Sequence, residues 1–132
     1  MPAFLGVDFG TKHIGLAIAS SVLVEPLGTM DIKDQKDGLN KLLFIIKNQN
    51  IQVVVFGLPS GKMGEIVKGF AKKLRKLFDG QVYFQSETLT SYEAGQKVVE
   101  AKKKKTTRKT KIHQFAACLI LQNFIEDHPE YL

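Results

Sequence analysis

The sequence predicts an α/β protein built on a mixed five-stranded sheet, with three antiparallel strands followed by βαβ units and helices on the faces. Two observations carry this. The first 32 residues hold short apolar runs separated by turns, with no helical stripe among them. From there on, apolar stripes at helical spacing alternate with short strand-like runs, the pattern of parallel strands joined by crossover helices.

Each element can be justified in order. Ala3–Phe9 is an apolar run that ends in Asp8-Phe9-Gly10, and Ile14–Ala19 is a second. Gly10-Thr11-Lys12-His13 between them is short enough for a hairpin. Glu25–Ile32 reads as a third strand, with Pro26 suited to its start or to an edge. Leu39, Leu42, Leu43, Ile45 and Ile46 then recur at helical spacing, behind the possible caps Asp34 and Asp37. Ile51–Gly57 is nearly unbroken and β-branched, as a buried central parallel strand should be. Ile66, Val67, Phe70, Ala71, Leu74, Leu77 and Phe78 form the next helical stripe. Val82-Tyr83-Phe84 is a short fifth strand. Thr90 or Ser91 could cap a helix carrying Ala94, Val98 and Val99. A last helix carries Phe115, Ala116, Leu119, Ile120 and Phe124, fading at His128-Pro129. No composition break or repeat divides the chain, so residues 1–132 are expected to form one domain. The order β-β-β-α-β-α-β-α-α is that of the ribonuclease-H-like fold.

Composition narrows the class. The chain is 44% hydrophobic and 24% charged, ordinary for a folded soluble protein. One cysteine, Cys118, excludes a disulfide framework and a multi-cysteine zinc site. No apolar run approaches the roughly 18 residues of a membrane span. No signal peptide is visible, so the cytoplasm is the expected compartment. The net charge of +6 is concentrated in one place. Residues 102–111 hold seven of the 19 basic residues and no acid, leaving 12 bases against 13 acids elsewhere. A basic segment in an otherwise neutral domain suits a phosphate backbone, although a solvated loop would look the same. A second cluster, Lys72, Lys73, Arg75 and Lys76, is diluted by acids elsewhere.

Few side chains can do chemistry. Asp8 ends the most apolar segment of the N-terminal half, where a carboxylate is costly without a partner, a cation above all. Gly6 and Gly10 beside it admit another backbone or a phosphate. Glu87 follows the fifth strand. If strands one, four and five are parallel neighbours, Asp8 and Glu87 share the sheet edge where ligands bind in open α/β folds. Two carboxylates with waters suit Mg²⁺. The bland readings are a turn-forming Asp8 and a Glu87 that favours a helix N-terminus. Gly57-Leu58-Pro59-Ser60-Gly61 could offer backbone N–H groups to phosphate but is not a P-loop. His113, expected near the start of the last helix, could ligate a metal, relay a proton or contact phosphate. His13 and His128 have less support, and Cys118 reads as core.

Gly6-Val7-Asp8-Phe9-Gly10-Thr11-Lys12-His13-Ile14-Gly15-Leu16-Ala17 resembles the opening motif of the YqgF family, also called RuvX. The resemblance continues, collinear, at Pro26-Leu27, at Val55-Phe56-Gly57-Leu58-Pro59, at Glu87-Thr88-Leu89-Thr90-Ser91 with Glu93-Ala94, and at Ala116-Ala117 with Ile120-Leu121-Gln122. It implies a ribonuclease-H-like fold and a divalent-metal nuclease that matures the 5′ end of pre-16S ribosomal RNA or resolves Holliday junctions. Asp8 matches the family's first catalytic aspartate and Glu87 its glutamate. The chain departs from the pattern in three places. Ser86-Glu87-Thr88 stands for Asp-Glu-Arg, and Ser60-Gly61-Lys62-Met63-Gly64 for Leu-Asn-Met-Asp-Gly. His113 stands where the family has a third aspartate. Less negative charge is then available to hold two metals, and imidazole favours softer ions than Mg²⁺.

The expectation is therefore a Mg²⁺- or Mn²⁺-dependent phosphodiester hydrolase acting on structured nucleic acid, RNA before DNA, as a monomer or homodimer. Asp8, Glu87 and His113 are the candidate catalytic residues, and Asp8 and Glu87 the candidate metal ligands. Lys12, Lys102, Lys103, Lys104, Lys105, Arg108, Lys109 and Lys111 are the candidate nucleic-acid contacts. The alternatives are a junction-resolving DNA endonuclease and a nucleic-acid-binding relative whose catalysis is weakened at His113.

Overall fold

The computed structural model describes residues 1–21, 23–86 and 105–131, with residues 105–111 described by backbone alone. Strands β1 (Phe4–Phe9), β2 (His13–Ala19) and β3 (Val24–Asp31) come first. Helix α1 (Gln35–Asn48), β4 (Val53–Leu58), α2 (Gly61–Arg75) and β5 (Gln81–Ser86) follow, then α3 (Lys105–Asp127) and a 3-10 turn at Pro129–Tyr131. The sheet order is β3-β2-β1-β4-β5. The first three strands pair antiparallel, while β4 is parallel to both β1 and β5. The expected mixed sheet is thus present. The helix expected around residues 90–99 lies outside the described residues.

The strands alternate as half-period patterning requires. Leu5, Val7, Ile14, Leu16, Val54 and Phe56 face one way and pack with Leu42, Phe70 and Leu74 of α1 and α2. Phe4, Ala17, Ala19, Val53 and Val55 face the other way, onto Ala117, Leu121 and Phe124 of α3. Where α3 crosses β1 and β2, the strands offer it mostly small residues, so the helix can lie close against them. The opposite face is filled by large ones, with the Phe70 ring centred 4.5 Å from Phe9 and 6.0 Å from Phe56. Deleting a ring so placed costs about 3–5 kcal/mol.

Local chemistry agrees with the architecture. Asp34 caps α1, its Oδ1 accepting from the Asp37 backbone N–H at 2.8 Å. Pro26 lies in the edge strand β3, where its missing N–H costs no ladder bond. The β2–β3 register slips between Leu16 and Ala17. Gly28, opposite Leu16, takes a φ of 147° that a side chain would resist.

Two expectations need correcting. Leu77 is not part of the buried stripe; α2 ends at Arg75 and Leu77 is 62% exposed. The last helix does not begin beside His113. It begins at Lys105, so Lys105–Lys111 are helical backbone rather than a loop ahead of the helix. Lys, Arg and Thr are tolerated in a helix, and residues 105–111 carry no apolar stripe that would mark one in the sequence.

Candidate active site

Because β1, β4 and β5 run parallel, their carboxyl ends lie along one edge of the sheet. Val7 pairs with Phe56, and Phe56 with Phe84. Asp8 therefore comes close to the level where β4 ends at Leu58 and β5 at Ser86. As the residue after Val7 and before Phe9, it points to the α3 face. It is the one buried charged residue among the described residues, 9% exposed.

Its partner is His113. The imidazole Nδ1–H donates to Asp8 Oδ2 at 2.9 Å. The hydrogen bond to Asp8 raises the histidine's pKa above its ordinary value, against the opposing effect of burial. The pairing depends on how closely α3 is seated. A Cβ on Gly15 would lie 2.0 Å from the His113 carbonyl oxygen, and one on Gly6 would lie 2.8 Å from that of Ala117. Only glycine at both positions lets the helix backbone rest on the strands. His113 shares a helical face with the buried residues Ala117, Leu121 and Phe124, so the core-packing stripe of α3 ends in the residue that meets Asp8. The glycines expected to admit a backbone or a phosphate admit the chain's own backbone. At Gly10 the space is filled by the His13 carbonyl oxygen, 2.7 Å from where a Cβ would be.

Sequence reasoning passed over one neighbouring pair. His13, the first residue of β2, is in register with Asp31 of β3, and its Nδ1 lies 2.7 Å from Asp31 Oδ1. The His13 ring is centred 5.7 Å from that of His113. Two carboxylate–imidazole pairs thus stand side by side at this edge, one half-buried and one exposed. The strand register that joins His13 to Asp31 was the available signal, but it needs the bulge to be known first.

The remaining candidates divide clearly. Glu87 and Lys102, Lys103 and Lys104 lie outside the described residues. Lys105, Arg108, Lys109 and Lys111 lie on the first part of α3, whose later turns carry His113. Lys12 is exposed in the β1–β2 turn, one residue from His13. Cys118 is half-buried against the α3 core cluster, and burial pushes its thiol up to about 11, so it is no nucleophile near neutrality. His128 is structural: its Nδ1–H donates to the Phe124 carbonyl at 2.8 Å and its ring stacks on Phe124 at 4.0 Å. Ser60 starts α2 without a side-chain cap bond. The surface groove of about 820 Å³ between Leu43, Ile46, Leu77 and Gly80 opens at the opposite edge of the sheet, away from Asp8.

The donors suit one divalent cation in part. A carboxylate that accepts one hydrogen bond keeps lone pairs for a metal. An imidazole whose N–H is given to a carboxylate presents its other nitrogen as a ligand, a common arrangement at metal sites. Among the described residues, however, no three His, Cys, Asp or Glu side chains gather around one point.

Comparison with known proteins bears on the family and the fold. The family model RuvX, described as Holliday junction resolvase, matches residues 2–127. A candidate pre-16S rRNA nuclease of Chlorobaculum tepidum is 32% identical, covering 94% of this chain and 93% of that protein. Another, from Lactobacillus johnsonii, is 34% identical over 92% of this chain and 94% of that protein. Among solved structures, T. thermophilus RuvC in complex with Holliday junction substrate superposes with a TM-score of 0.67 at 12% identity, covering 98% of this chain and 97% of that one. The fowlpox virus Holliday junction resolvase gives 0.62 at 13% identity, over 95% and 99%. These two likenesses establish the fold, which is ribonuclease-H-like. With the family model spanning nearly all of its length, the chain belongs to the RuvX family.

Proposed function

We propose that residues 1–132 act as one nuclease domain, a phosphodiester hydrolase that processes the 5′ end of pre-16S ribosomal RNA in the cytoplasm. The observation that carries this reading is the buried Asp8 carboxylate at the carboxyl edge of the sheet, held at 2.9 Å by His113. The names of the relatives favour RNA as the substrate.

Asp8 and Glu87 would hold the divalent ion, Mg²⁺ or Mn²⁺, with His113 as a third ligand or proton carrier. When bound, such an ion supplies an activated water at neutral pH and offsets charge on the leaving oxygen. The protein's own part is positional. His113 fixes the rotation of the Asp8 carboxylate through Nδ1, and the close seating of α3 on Gly15 fixes His113. Lys12 and the basic residues Lys102–Lys105, Arg108, Lys109 and Lys111 supply the phosphate contacts that hold the RNA in register.

The test is cleavage of a labelled pre-16S 5′-leader RNA with Mg²⁺, with Mn²⁺ and with EDTA, beside Asp8→Asn. Metal-dependent products are expected, and they should vanish in the variant while RNA affinity stays within about twofold. RNA bound but never cut, in either metal, would overturn the catalytic reading.

A further inference from the structure

The outer face of α2 carries a row of cations that the fold does not use. Lys62, Gly69 and Lys76 recur every seven residues and so lie in line, flanked by Lys72 and Lys73. From Lys62 to Lys76 the row is about 21 Å long at 1.5 Å per residue. All four lysines are exposed. Among the described residues, Lys62, Lys72 and Lys76 have no carboxylate partner, and Lys73 reaches only the Gln35 amide, at 3.1 Å. The single acid of α2, Glu65, sits 3.8 Å from Lys68 instead. Arg75, by contrast, is structural: it donates to the Val82 carbonyl at 2.9 Å and lies over the Phe84 ring.

Two residues in the row work against the helix. Lys62 is in the first turn, where the macrodipole disfavours a cation and no acid compensates. Gly69 is in the helix interior, where glycine is a poor former, yet a Cβ there would meet nothing within 4 Å. Packing does not explain it, unlike Gly64, where a Cβ would strike the Pro59 carbonyl oxygen at 2.3 Å. The lysines of the last turn complement the dipole, but that accounts for neither Lys62 nor Gly69. A bare helix backbone between cations is a surface that something anionic can approach closely.

We propose that this face of α2 is a second nucleic-acid docking surface, on which the phosphate backbone passes over Gly69 between Lys62 and Lys76. The helix begins directly beyond β4, at the carboxyl edge where Asp8 lies near the end of β1, so a strand crossing that edge continues down α2. The inference rests on the nuclease reading only for the identity of the anion.

The test uses Lys62→Gln/Lys72→Gln/Lys76→Gln and, separately, Gly69→Ala, with Lys47→Gln on α1 as the control. The probe is the labelled leader RNA, titrated from 50 to 200 mM salt. The triple variant should bind at least tenfold more weakly, and the slope of log affinity against log salt should fall by about 2, at 0.7–0.9 per phosphate no longer neutralised. Turnover at saturating RNA should be unchanged. Gly69→Ala should raise the melting temperature while weakening RNA binding severalfold, a pair of opposite changes that no folding defect produces. RNA affinity and slope equal to wild type in both variants would overturn the proposal. Wild-type RNA binding that is lost in the variants, in a chain that never cleaves, would uphold this surface and sink the catalytic reading instead. Failure of the wild-type chain to bind RNA at all would overturn both.

Discussion

An alanine at position 15 would place its Cβ 2.0 Å from the carbonyl oxygen of His113, 2.1 Å from the carbonyl carbon and 2.6 Å from its Cβ. Two of these atoms are helix backbone and cannot rotate aside. Restoring ordinary contact at about 3.5 Å needs α3 to withdraw by roughly 1.5 Å. The Nδ1–Oδ2 distance is 2.9 Å, so even part of that movement breaks the Asp8–His113 bond. Overpacking of this kind costs about 1–3 kcal/mol. Leaving the Asp8 carboxylate without its donor adds about 1–3 kcal/mol. The total, about 4 kcal/mol, should lower the melting temperature by about 10–15 °C for a chain of this size. Thermal denaturation followed by circular dichroism measures the first effect and leader-RNA cleavage the second, which should fall at least tenfold. For the melting measurement Gly69→Ala is the matched control, because the same methyl there meets nothing within 4 Å and should stabilise. A Gly15→Ala protein that melts within about 3 °C of wild type and cleaves normally would refute the seating argument, and with it the account of how His113 is held.

Three other outcomes are expected. In EDTA, the stabilisation from the Asp8–His113 pair should be fully present below His113's ordinary value of 6.5 and should be lost as pH rises through its raised folded value; the gap in melting temperature between wild type and His113→Gln should therefore shrink from pH 6 to pH 9, and a constant gap would contradict the pairing. Replacing Lys102–Lys105 by glutamine should reduce the salt slope of RNA binding by about 0.7–0.9 for each phosphate these lysines neutralise, and an unchanged slope would remove that segment from the interface. His113→Asp restores a carboxylate, so activity with Mg²⁺ should rise relative to activity with Mn²⁺, as a ratio of rates under matched conditions; no change in that ratio would place His113 away from the ion.

Much of the fold was legible because its signals are local. The unbroken Val53-Val54-Val55-Phe56 run reads as a strand buried on both faces, and all four residues are buried. Pro26 had to lie at an edge or at the start of its strand, and it lies in an edge strand. Asp34 caps α1 as expected. What failed was what depends on partners distant in sequence. Leu77 fits the periodicity of α2, but the helix ends two residues earlier and turns it to solvent. The N-terminal turns of α3 hold no apolar stripe, so the sequence shows the helix only from Phe115 onward.

The site divides along the same line. Asp8 announced itself as a carboxylate in an apolar segment, and that argument requires a polar partner without naming it. The partner expected was a cation; the protein side chain that meets Asp8 is an imidazole 105 residues away. Gly6 and Gly15 connect the two. Both lie in the opening motif, one on each side of the β1–β2 turn, and both are placed to receive successive turns of α3 at Ala117 and His113. Those glycines therefore belong to the site as much as to the fold. They bring a helix backbone close enough for one imidazole to reach one carboxylate, and a motif whose glycines leave room for a backbone serves here to hold the side chain that orients Asp8.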